Sequence, residues 1–150
     1  MAGFSNQVEL DVLEAIFKSE VFPVPTVLWV SLHSADPGDT GTSELASSLA
    51  YARAQNNPDP DDETDVKWTA VSQVSAASKI ENAAVITFPT ASGGNWNSGT
   101  AIPYFGLWKH ETSGVAANFM LGGAISGGGV VVNDTQTLSF DANQLDITLD

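Results

Sequence analysis

The chain has 150 residues, with 18 acidic against 5 basic side chains, a formal charge of −13 and no cysteine. Charge of that sign and size repels phosphate backbones and anionic membranes, which sets nucleic acid aside as a direct partner. The missing cysteines exclude disulfide frameworks, thiolate metal sites and cysteine nucleophiles.

A length of 150 residues predicts one domain, 1–150, able to bury roughly 70% of the surface that its unfolded chain exposes. No apolar run approaches the ~20 residues of a membrane span, and the first residues carry neither a basic nor an apolar signal segment, so a soluble chain without membrane insertion is expected. Within residues 1–20, the segment 5–18 predicts the one amphipathic helix. Val8, Val12, Leu13, Ile16 and Phe17 recur at three- and four-residue spacing as a single apolar stripe. Asn6 is placed as its cap, with Glu9 completing a capping box and Lys18 at the negative end of the dipole. Pro23 and Pro25 forbid continuation. The bland expectation for this helix is packing on its own domain, and the alternative is docking on another subunit.

Residues 26–33 form a β-branched and aromatic run, expected as a buried strand, which breaks at the turn around Pro37 and Gly38. Residues 49–55 are expected as a second strand. The insertion 56–65 follows, with five acidic residues in the seven from 59 to 65, and reads as a solvated loop. Short strands are then expected at 66–71, 83–88, 130–132, 136–140 and 145–149, divided by Gly, Ser and Asn. Trp96 sits in one of these connections and is too costly to expose without reason. Between them lies the hairpin around which the chain is organised, 101–125. Ile102, Tyr104, Phe105, Leu107 and Trp108 face Phe119, Met120 and Leu121 across a connection at 111–114 that ends in Gly114. The pattern predicts an all-β antiparallel sandwich, jelly-roll or Ig-like, with one N-terminal helix. Trp29, Phe88, Phe105, Trp108 and Phe140 are expected in its core.

Little in the chain suggests catalysis. His33 stands beside Asp36 and Asp39, with Ser31 or Ser34 as a nominal nucleophile, but there is no GxSxG elbow, and a histidine bonded into a turn is the commoner outcome. His110 beside Glu111 is read the same way. Neither histidine has a ligand-spaced partner, and the Gly127-Gly128-Gly129 run lacks the lysine and helix of a phosphate loop. Asp59, Asp61, Asp62, Glu63 and Asp65 form a calcium candidate, hard oxygen ligands without EF-hand order, whose bland reading is a solvated face. No cofactor is expected.

Several ordered blocks resemble a known family. They are the run from Leu32 through His33, Ser34, Ala35, Asp36, Pro37, Gly38, Asp39 and Thr40 to Gly41; Tyr51-Ala52-Arg53; the run from Asn82 to Pro89; Phe105-Gly106-Leu107-Trp108; and Thr137-Leu138-Ser139-Phe140 with the run from Leu145 to Leu149. In this order, over nearly the whole chain, they are similar to the small tailed-bacteriophage virion proteins identified as tail fibre or minor tail proteins. The resemblance implies a non-enzymatic structural subunit of the virion, assembled in the host cytoplasm, and it supplies no catalytic residues. The acidic insertion departs from that pattern.

A tail-associated subunit (fibre, minor tail or baseplate) is therefore the expected function. Capsid decoration is the alternative, and a receptor- or glycan-binding module the second. The expected partners are other virion proteins and copies of the chain itself, as a trimer. The interface candidates are Phe4, Val8, Val12, Leu13, Ile16 and Phe17, with the acidic loop left outside.

Overall fold

A computed structural model describes residues 3–56, 67–74 and 77–149. Its strands are β1 (Gly3–Phe4), β2 (Trp29–His33), β3 (Ala54–Gln55), β4 (Ser72–Val74), β5 (Ala77–Glu81), β6 (Ile86–Thr90), β7 (Tyr104–Trp108), β8 (Phe119–Ala124), β9 (Thr137–Phe140) and β10 (Asp146–Leu149). The helix α1 (Asn6–Lys18) follows β1. Every strand pairing is antiparallel, in a five-stranded sheet β1-β8-β7-β2-β3, a three-stranded sheet β10-β5-β4 and a pair β6-β9. The expected all-β sandwich with an N-terminal helix is the fold observed.

The large sheet forms one layer and the two smaller sheets the other, because their apolar side chains share one core. Val30, Leu32, Phe105, Leu107 and Leu121 from the large sheet meet Ile86, Phe88, Phe140, Leu145 and Ile147 from the opposite side. Phe88, Phe105 and Phe140 are in this core as expected, whereas Trp108 is buried on the other face of β7 and Trp29 at the start of β2 is only half-buried. Trp96 is buried between the layers. Its ring stands edge-on to Tyr51 and Phe88, and its indole N–H donates to the Leu49 carbonyl at 2.9 Å.

β2 and β7 are also buried on their second face. Ser31, His33 and Trp108 project away from the sandwich core and are closed over by Phe119, Gly41 and the turn that carries Pro37. Gly106 lies opposite Ser31 in the ladder, and a Cβ there would stand 2.7 Å from His33 Nε2 and 2.8 Å from Ser31 Oγ. Glycine is what lets these two strands carry a second small core.

Several local expectations are corrected. The helix is capped by Ser5 and not by Asn6: Ser5 is extended, φ −73° and ψ 156°, and its hydroxyl oxygen accepts from the Val8 amide at 3.3 Å. The same hydroxyl donates to the Phe119 carbonyl at 2.7 Å, and the Ser5 amide bonds Met120. Pairing beside β8 thus holds residue 5 extended, so the helix starts at Asn6, one residue earlier than a cap at Asn6 would place it, and Glu9 falls out of the capping-box position. The hairpin is as expected, but its connection spans residues 109–118 instead of four residues, closed by the Lys109 amide on the Asn118 carbonyl at 2.8 Å.

The expected strand at 49–55 shrinks to β3, because Leu49 and Ala50 turn into the left-handed region at φ 53° and 63°. The strand at 26–33 begins only at Trp29, and that at 83–88 lies at 86–90, where a register shift between Thr87 and Thr90 accommodates Pro89. Residues 130–132 contribute only an isolated bridge, Ile102 to Val130. Of the strand expected at 66–71, the described part, 67–71, holds one bridge from Trp68 to Asn82. β4 and β5 were not legible. The acidic stretch 59–65 lies outside the described residues.

Candidate interaction surface

α1 divides the six residues expected at an interface into two groups. Phe4 is part of the edge strand β1 and half-buried, Val8 is 1% exposed against β8, and Val12 is half-buried on the same side. Leu13 and Phe17 are turned outward and exposed, at 54 and 78%, and Ile16, one turn beyond Val12, is exposed at 65%. The single stripe read from the sequence is therefore two faces. One anchors the helix, and the other is presented outward together with Leu10, Val21 and Val24, which the spacing argument had missed. Their signal was available: Leu10, Leu13 and Phe17 also recur at three and four residues.

Polar contacts fix which side faces out. Asp11 accepts from Gln7 Nε2 at 2.8 Å and pairs with Lys109 Nζ at 3.4 Å, which ties the inner side of the helix to the end of the central hairpin. The Lys18 and Glu14 side chains pair with each other at 2.8 Å along the helix. Leu10, Leu13, Ile16 and Phe17 thus form an apolar patch, bordered by the exposed Glu9, on a chain of net charge −13. Each such side chain gains about 1.5–3 kcal/mol on full burial.

The nominal catalytic group is structural. His33 and Ser31 are each 0% exposed, and Ser31 Oγ lies 2.7 Å from His33 Nε2. His33 Nδ1 lies 2.7 Å from the Thr42 carbonyl, so it carries the proton, and Nε2 is left as acceptor for the Ser31 hydroxyl. The Trp108 indole N–H donates to Ser31 Oγ at 2.8 Å. Neither Asp36 nor Asp39 meets the imidazole: Asp36 bonds the Gly38 amide at 2.9 Å and shapes the turn. Burial pushes the His33 pKa down, opposed by its bond to the Thr42 carbonyl and by Glu44. His110 Nδ1 accepts from the amides of Thr112 and Ser113, both at 3.1 Å, and closes the hairpin connection.

The principal electrostatic contact is a fork. Arg53 donates through Nε and NH2 to the two Glu44 oxygens at 2.8 and 2.6 Å, and also to the carbonyls of His110 and Ser113. Tyr51 donates to Glu44 at 3.2 Å and accepts from the Leu32 amide at 2.9 Å, and burial drives its pKa upward. The calcium candidate Asp59, Asp61, Asp62, Glu63 and Asp65 lies outside the described residues, among which no group of three or more His, Asp or Glu is spaced to hold a metal. No helix among the described residues is long and apolar enough to cross a membrane.

A family model described as Podophage GP4 fiber I protein gp80 matches residues 3–148. No curated protein matches the chain.

Proposed function

The chain belongs to the podophage GP4 fiber I protein gp80 family, a phage tail-associated structural family, and on that premise we propose that it is a non-enzymatic tail subunit that attaches through the outer face of α1. The observation that carries this reading is the exposed patch of Leu10, Leu13, Ile16 and Phe17, continued by Val21 and Val24. An association with other virion proteins follows from the family. Its occupant here is a second and third copy of the same helix, in a trimer. Copies carrying −13 each repel elsewhere, and the patch, with Glu9 at its border, is where they meet with little charge juxtaposed. β1, two residues long and at the free edge of the large sheet beside α1, supplies the sheet edge of the contact, while the acidic residues 59–65 stay outside.

A structural role is supported by His33 and Ser31, which are sealed from solvent and occupied in bonding the second core. Particle images with the subunit localised test the placement. A few to a few dozen copies on the tail is the expected result, and copies covering the capsid would instead make it a decoration protein.

A further inference from the structure

Two strained dipeptides border one cavity. Leu49 and Ala50 have φ 53° and 63°, and Asn97 and Ser98 have φ 47° and 54°. A left-handed conformation costs roughly 1–2 kcal/mol for an ordinary L-residue and less for asparagine, and it persists where surrounding contacts dictate it, often around ligands. Here Leu49, Asn97 and Ser98 line a cavity of about 280 Å³, whose wall also carries Glu44, Ser48 and Asn95. Trp96 pins the two segments together through its indole bond to the Leu49 carbonyl.

The lining is polar yet without free charge. Glu44 is neutralised by the Arg53 fork, and Arg53 spends its donors on Glu44 and on the carbonyls of His110 and Ser113. Ser48, Ser98, Asn95 and Asn97 supply hydroxyl and amide groups beside the apolar Leu45 and Leu49; Asn97 Nδ2 donates to the Ala101 carbonyl and Asn95 Oδ1 accepts from the Asp134 amide. Such a surface fits neither a phosphate nor a metal cation. It fits a neutral polyol, whose ring hydroxyls both donate and accept. A second cavity of about 230 Å³ shares Glu44, Leu45 and Tyr51 with the first, so two spaces, each a little below the usual ligand-pocket size, adjoin.

We propose that the cavity between residues 44–51 and 95–98 binds a neutral saccharide, one sugar unit of a glycan chain continuing toward the second cavity. The site lies on different segments from the α1 patch and does not depend on how the subunit attaches.

The test titrates ¹⁵N-labelled full chain with lactose, maltose and chitobiose, and separately with glucuronic acid and inorganic phosphate, following the Trp96 indole and the Leu49 and Asn97 amides. The expected result is saturable movement of these signals with at least one neutral disaccharide and weaker movement with the anions. Ala46→Trp and Ser48→Phe change exposed residues of the lining and fill the space. Each is expected to weaken binding about tenfold or more while the melting temperature holds. No saturable shift with any of the three disaccharides, tighter binding of an anion, or binding unchanged in both variants would overturn the proposal.

Discussion

The central carbon of the Arg53 guanidinium sits 3.8 Å from the centroid of the Trp108 ring, and the same group forks onto Glu44 and reaches the hairpin connection at His110 and Ser113. One side chain, 7% exposed, thus joins the segment before β3, the end of β7 and the loop that follows it. Arg53→Met leaves Glu44 without its countercharge in a mostly buried place, and the expected loss is about 3–5 kcal/mol by urea unfolding. Arg53→Lys is expected to recover only part of it, since an ammonium cannot reproduce the fork or the stacking. Equal stability of the two variants and the parent would remove Arg53 from this role.

Phe105 is 3% exposed at the centre of the sandwich core, on the strand paired with both β2 and β8. Phe105→Ala is expected to cost about 3–5 kcal/mol through lost burial and the cavity left behind. A melting temperature equal to the parent's would contradict the core assignment.

The central hairpin was legible because its bulky apolar residues are too many to leave in water. Its turn was not, because Lys109 to Asn118 pairing depends on tertiary contacts of His110 and Ser113 with Arg53 that no local pattern announces. β4 and β5 escaped notice because their sequences, Ser-Gln-Val and Ala-Ser-Lys-Ile-Glu, are mostly small and polar; β5 is only half-buried, and no clean alternation marks a face. The segment 49–55 looked like a strand because Leu49 and Tyr51 suit one, yet the chain bends there to let Trp96 reach the Leu49 carbonyl. In the candidate interface, three- and four-residue spacing found the apolar positions of α1. It merged two faces because Val8 and Leu13 are equally apolar, and only the Asp11 contact to Lys109 tells inside from outside.

His33 makes stability depend on pH. Burial holds its folded-state pKa below the 6.5 of an exposed imidazole. Below that value the unfolded chain takes up a proton that folded His33 resists, so its contribution is fully present above about pH 6.5 and is lost as pH falls toward and through the folded pKa. The slope approaches about 1.4 kcal/mol per pH unit. His33→Gln, compared with the parent across pH 7 to 4 by urea unfolding, is expected to show a shallower acid loss. Parallel curves would mean that His33 is not titrating differently in the two states.

The two faces of α1 are expected to respond differently to charge. Val8→Asp places a carboxylate in the buried contact with β8 and should unfold the N-terminal region or lower the melting temperature sharply. Replacing Asp59, Asp61, Asp62 and Asp65 with serine should leave assembly intact. Failure of the serine variant to assemble would make the acidic stretch the docking element.

Sedimentation of the purified chain beside its Leu13→Glu/Phe17→Glu variant reads the outer face of α1 most directly, since both residues are exposed and neither contributes to the folded core. The parent is expected to sediment as a trimer and the variant as a monomer with an unchanged melting temperature. A parent that stays monomeric at high concentration, or a variant that keeps the parent's mass, would contradict attachment through this helix.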